Sequence, residues 1–258
     1  MVDLIWVKMP STWVSAGVLR LNFSSKRAVS TDIAALKIFL YLCLFSEPVK
    51  RKKQVLASEW LPERIRHNTT TVVTQAEASI TYDAISAGCS LSRKMVSEGL
   101  KKLISLRLII KEGTTRKIRY VIQGSLDSGW AKLPKRELIK LNQEVEAFHS
   151  IKNRYDYERD AIKLFIYLLT VRTNRYHYID VSRGKISQAT GIELLKIDEC
   201  LGYLTGLGLI EKVETQGYTT RGTHLIEENK LHRYYVAGSS GLVQKGNDIS
   251  EVSIDISL

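Results

Sequence analysis

The chain has 258 residues, 44% of them hydrophobic, with a net charge of +11. That is enough apolar material for one large core or two ordinary ones, and no apolar run is long enough to cross a bilayer. Cys43, Cys89 and Cys200 are widely spaced in apolar surroundings, which reads as buried thiols in a reducing cytosol and excludes a disulfide scaffold. Met1-Val2-Asp3-Leu4 lacks the basic-then-apolar pattern of a secretory leader, so none is expected. The charge is lopsided. Residues 1–124 carry 20 Lys and Arg against 9 Asp and Glu, whereas residues 125–258 carry 18 against 18. A polyanionic partner for the first half is expected on electrostatic grounds.

In chain order, Trp6-Val7-Lys8-Met9-Pro10 is a short entry segment, and Ala35–Leu42 has a strong helical pattern. Residues 46–78 are basic, with Lys50-Arg51-Lys52-Lys53, and read as a loop holding one short helix at Val55–Ile65. Thr81–Gly88 is a short helix, Cys89-Ser90-Leu91 a tight turn, and Ser92 stands where an N-cap belongs. The following helix places Val96, Leu100, Leu103 and Ile104 on one face and Arg93, Lys94, Ser97 and Lys101 on the other. Leu106–Ile110 then enters a strand, Gly113-Thr114-Thr115 turns it, and Lys117–Ile122 returns with alternating basic and apolar residues. The pattern then repeats. Trp130-Ala131-Lys132-Leu133-Pro134 echoes the entry, Ala161–Leu168 echoes the long helix, and Ile186–Ile210 aligns without a gap to Ile85–Ile109. Arg119-Tyr120-Val121 matches Tyr234-Tyr235-Val236 in character. The join falls near Gly124–Gly129, and Leu138–His149 reads as a bridging helix leading to a first helix capped by Asp156 or Asp160. Beyond Gly238 the chain is rich in Ser and Gly, and Val252, Ile254, Ile256 and Leu258 alternate with polar residues as a strand seeking an edge would.

The two exits, Leu100-x-x-Leu103-x-x-Leu106-x-Leu108-Ile109 and Leu201-x-x-Leu204-x-x-Leu207-x-Leu209-Ile210, each followed by a hairpin, resemble the winged-helix superfamily. The resemblance covers nearly the whole chain. It implies an α+β, mainly helical fold of two tandem winged helix-turn-helix domains. These would be 1–124, basic, with an insertion at 46–78, and 125–238, with a long wing, before a tail at 239–258. Tandem winged helices at this length also resemble the replication initiators of plasmids and phages, in architecture only. For the first unit, a helix able to enter a major groove beside a basic hairpin implies DNA reading. Arg93, Lys94, Ser97 and Lys101 would read it, Arg116, Lys117 and Arg119 of the wing would touch the flank, and Lys50, Arg51, Lys52 and Lys53 would grip phosphates. The aligned positions of the second unit, Leu194, Leu195, Asp198 and Gly202, suit a protein interface or an inward-facing packing surface instead, since carboxylates are repelled by phosphates. Trp6 and Trp130, being repeated, read as structural.

No phosphate loop is present, because Asn247 follows Gly241–Gly246 where Lys is needed. The five histidines make no metal-spaced pair, and neither Cys-x-x-Cys nor G-x-S-x-G occurs. A binding protein is therefore expected rather than an enzyme, with no cofactor and no metal. The leading expectation is a sequence-specific double-stranded DNA-binding protein, a homodimer, cytoplasmic and nucleoid-associated, regulating transcription on a plasmid or phage. The alternatives are a replication initiator on repeated origin sites, with replication or transcription machinery as further partner, then a protein-binding adaptor, then a strand-cutting enzyme.

Overall fold

The computed structural model describes residues 5–55, 69–114, 117–139, 143–173, 175–215, 220–221, 224–225 and 232–239. Two long helices stand at its centre. Val29–Leu44 (α3) is apolar on every side, and Asp32 through Leu44 are all buried. A helix of that composition belongs inside a core, not on its surface. Its counterpart Asp156–Val171 (α8, numbered in chain order below) packs against it and is buried from Glu158 to Leu169. Glu158, not Asp156 or Asp160, holds the entry to this second helix. Its carboxylate accepts from the backbone N–H groups of Lys152, Arg154 and Tyr155 at 2.6, 2.8 and 3.0 Å. The bond to Tyr155 is the reach of an N3 carboxylate back to the N-cap, and the other two extend it to the segment leading into the helix. Asp156 pairs with Lys196, and Asp160 with Arg159 and Lys163.

The elements run in order from Val7–Pro10 (β1) through the one-turn helices Thr12–Ser15 (α1) and Val18–Asn22 (α2) to α3. Next come strands Glu47–Val55 (β2) and Thr69–Ala78 (β3), helices Tyr82–Gly88 (α4) and Arg93–Ser105 (α5), and strands Ile109–Thr114 (β4) and Lys117–Ile122 (β5). The second series is Trp130–Leu133 (β6), Lys135–Leu138 (α6), Glu146–His149 (α7), α8, Ile179–Val181 (β7) and Arg183–Thr190 (α9). It continues with Ile197–Gly206 (α10), Ile210–Thr215 (β8), the short strands Thr220–Arg221 (β9) and His224–Leu225 (β10), and His232–Val236 (β11).

The repeat read in the sequence is a repeat of structure. Within the first sheet, ordered β2-β3-β5-β4, Ala78 pairs with Tyr120 and Ile109 with Ile122. Within the second, ordered β7-β11-β8, Ile179 pairs with Tyr234 and Ile210 with Val236. Tyr120 therefore corresponds to Tyr234, both fully buried, and not to Tyr235. The two entry segments pair with each other. β1 and β6 run antiparallel with Lys8 opposite Lys132. Trp6 and Trp130 stack at 5.8 Å with planes 4° apart, Lys8 lies over Trp130, and Lys132 lies over Trp6. Two like charges face each other across this ladder, and the indole faces offset their repulsion.

Several expectations need correction. The chain is mixed α and β, 47% helical and 26% strand, so the expected mainly helical character fits only roughly. The basic stretch 46–78 is strand at both ends rather than loop, and the short helix expected at Val55–Ile65 lies, but for Val55, outside the described residues. β2 and β3 form a hairpin in unbroken register from Glu47↔Glu77 to Val55↔Thr69, and residues 56–68 lie outside the described residues. Leu138–His149 is not one helix: α6 ends at Leu138, Ile139 and Val145 form an antiparallel bridge, and Glu146–His149 is a single helical turn. The boundary at residue 124 is crossed by the β1–β6 ladder, by α3 against α8, and by one continuous apolar core. The edge strand expected at Val252–Leu258 and nearly all of the 239–258 tail lie outside the described residues.

Candidate nucleic-acid interface

α5 is set by its ends and by one glycine. Ser92 caps it, its hydroxyl accepting from Met95 N–H at 3.3 Å. Val96, Leu100 and Leu103 are buried, but Ile104, expected among them, is 40% exposed. Gly99 meets α3 so closely that a Cβ would sit 2.8 Å from Ile38 Cδ1 and 3.0 Å from the Ala34 backbone. This contact fixes the helix against the core and turns the opposite face outward.

On that outward face Lys94 and Lys101 are exposed and have no partner among the described residues, while Ser97 is half-buried between them. Arg93 is exposed and pairs with Asp83 of α4. Lys102, one step from Lys101, points the other way. It is bonded to Asp32 and to the Asn22 carbonyl and lies 4.7 Å from the Phe23 ring centroid. The sequence offers Lys101 and Lys102 as equals, and the helix separates them into one free cation and one internal tie.

The β4–β5 hairpin follows directly. Gly113 is required there, since its φ is +91° and a Cβ would lie 2.0 Å from the Lys117 carbonyl oxygen. Lys117 is exposed and unpaired among the described residues; Arg119 is exposed and 3.9 Å from Glu77; Arg116 lies outside the described residues. Lys50 and Lys52 are exposed and share one face of β2, whereas Arg51 faces the other way. Arg51 is not free to grip a phosphate. Its Nη1 and Nη2 donate to Glu112 Oε1 and Oε2 at 2.9 and 2.8 Å, and its Nε donates to Glu77. Those bonds hold the Glu112 carboxyl below its ordinary pKa. The side chain of Lys53 lies outside the described residues.

The second unit presents different chemistry at the equivalent place. Ser182 caps α9, Gly191 ends it with φ +73°, and Leu194–Lys196 forms a 3-10 turn before the shorter α10. Leu195 is 93% exposed and Leu194 53%. Asp198 takes both Nη groups of Arg183, and Gly202 faces open space. The outer side of this unit's sheet carries a ring cluster, Tyr176, His177, Tyr178 and Tyr235, that the sequence reading passed over. The signal available was Tyr176-His177-Tyr178 immediately before a strand. Among the described residues no cluster of His, Cys, Asp or Glu could hold a metal ion, and no helix is long and apolar enough to cross a membrane. Comparison with protein-family models, curated proteins and solved structures returns no match.

Proposed function

We propose that the chain is a sequence-specific double-stranded DNA-binding protein built from two winged-helix units, and that it regulates transcription on a mobile element. The observation that carries this reading is the pair Lys94 and Lys101. Two ammonium groups nearly two helical turns apart, unpaired among the described residues and on the outward face of a capped and core-anchored helix, suit a major groove. Lys117 on the adjoining hairpin and the charge excess of the first half add phosphate attraction. Leu194 and Leu195 of the second unit provide the contact for a second copy on a two-fold site, as exposed leucines beside carboxylates suit protein better than DNA. A replication initiator is the second reading. What favours it is the shared core, which fixes α5 and α10 relative to each other, so that one chain would meet one asymmetric repeat.

The test is a salt titration of duplex binding, on a selected site and on random duplex, by wild type and by Lys94→Ala/Lys101→Ala. Wild type prefers the selected site. The variant loses ~1–3 kcal/mol for each base-reading contact there and far less on random DNA. Equal affinity of both proteins for both duplexes overturns the assignment. Stoichiometry in the same titration separates the readings. The regulator binds a two-fold site as two chains, falling to one in Leu195→Glu, whereas the initiator binds each repeat as one chain in both proteins.

A further inference from the structure

The two sheets differ on the face turned away from the helices. In the first unit that face carries the ion cluster of Arg51, Glu77, Glu112 and Arg119, and β2 extends its edge. Among the described residues the second sheet has no counterpart of β2, and its outer face carries rings. Tyr234 pairs with Ile179 and points into the core, so Tyr235, one step along β11, turns to the opposite face, where Tyr178, just before β7, meets it. Their ring centroids are 6.0 Å apart. Tyr176 stacks on Tyr178 at 5.1 Å with planes 17° apart, and the Arg233 guanidinium lies 4.2 Å from the Tyr178 centroid. The Lys212 ammonium lies 4.3 Å from the Tyr235 centroid.

The cluster is not core. Tyr176, Tyr178 and Tyr235 stand outside the continuous apolar cluster; Tyr235 is itself buried beneath its neighbours, at 6% exposed, whereas Tyr176 is 50% exposed. A ring held flat by its neighbours and left half in water is a prepared stacking surface, with its orientation already fixed before a partner arrives. Cations sit beside it. Arg175 is exposed with no partner among the described residues. Asp180 at 3.4 Å from Arg233, and Glu214 at 2.6 Å from Lys212, hold those two side chains in place. A once-bonded ammonium still has two N–H donors to give. Flat rings and flanking cations are the complement of an unpaired base and its phosphate. A duplex hides its base faces inside the stack and cannot use such a surface.

We infer that this outer face of the second unit binds single-stranded nucleic acid, with Tyr176 stacking an unpaired base and Arg175 and Lys212 beside the phosphates. The inference is independent of duplex reading by α5. The test is fluorescence anisotropy of a labelled oligothymidylate of about fifteen nucleotides with the full chain, against random duplex of equal length. Tyr176→Ala is expected to weaken oligothymidylate binding about tenfold, Tyr176→Phe to retain it, and Lys94→Ala/Lys101→Ala to leave it unchanged. Oligouridylate in a parallel titration tells whether a DNA or an RNA strand is the better source of the same chemistry. Equal binding by wild type and Tyr176→Ala overturns the inference, as does the absence of saturable single-strand binding. Loss only in the α5 variant assigns the binding to that helix and also overturns it.

Discussion

Lys37 and Lys163 hold corresponding places in the two long helices, and both are fully buried. The Lys37 ammonium donates to the Phe148 carbonyl and to Asn153 Oδ1, each at 3.0 Å. Burial lowers its pKa from 10.5 to about 8, although Cys89 and Glu158 pull the other way. The sign of the resulting pH dependence is fixed. Between about pH 8 and 10.5 the unfolded chain binds more proton at this site than the folded one, so stability from this group rises with pH there. The penalty is in full force below pH 8 and gone above 10.5, and the interval corresponds to roughly 3 kcal/mol. Urea unfolding of wild type and Lys37→Met at a series of pH values checks it. The difference between them should move in favour of wild type as pH rises through that window, and a flat difference means the ammonium is hydrated in the folded state. The helical pattern of Ala35–Leu42 does not tell that its one lysine is buried. It is buried because the second unit covers that side of the helix.

At the scale of elements, α5 was legible and the β2–β3 hairpin was not, and the reason is the same physics. α5 buries one face, so its apolar residues recur at helical spacing, and Ser92 marks its start. The hairpin lies mostly beyond the core, so Lys50-Arg51-Lys52 and Thr71-Val72-Val73-Thr74 carry no period-two apolar pattern to betray it. Only the β-branched run pointed to strand. What holds the hairpin to the sheet is Arg51. It reaches past Val73, its own ladder partner, to Glu77 on β3 and across to Glu112 on β4. Four residues of strand span about 13 Å, so the hairpin must curl toward that face for these bonds to form. Arg51→Met should therefore loosen the hairpin without unfolding the molecule. The groups are partly exposed and screened, so a stability loss of about 1 kcal/mol is expected. Amide exchange in Thr71–Ala76 should speed up while exchange in α3 does not. Unchanged exchange in the hairpin means the backbone ladder alone secures it.

At the scale of the molecule, the repeat was visible in the sequence and its consequence was not. Two copies of one pattern suggest two domains, yet here each copy leaves apolar surface that only the other covers. α3 and α8 are buried against each other, and among the described residues β1 has only β6 as a ladder partner. Bonds cross the boundary throughout: Ser11 N–H to the Gly129 carbonyl, Val145 N–H to the Gly88 carbonyl, Arg159 to the Ser25 carbonyl. Residues 1–124 and 125–258 made separately should each lack a cooperative unfolding transition, and mixing the two should restore one. The intact chain should unfold in a single step whether followed by tryptophan fluorescence, to which the stacked Trp6 and Trp130 contribute with Trp13 and Trp60, or by far-ultraviolet dichroism. Two separated transitions, or a first half that folds alone, would show the shared core to be dispensable. The distinction bears on how the chain could use its two faces. With independent domains, α5 and the ring-bearing sheet would search separately, and their joint affinity would depend on linker length. With one core, their separation is constant, and a ligand spanning both must bring the matching spacing itself.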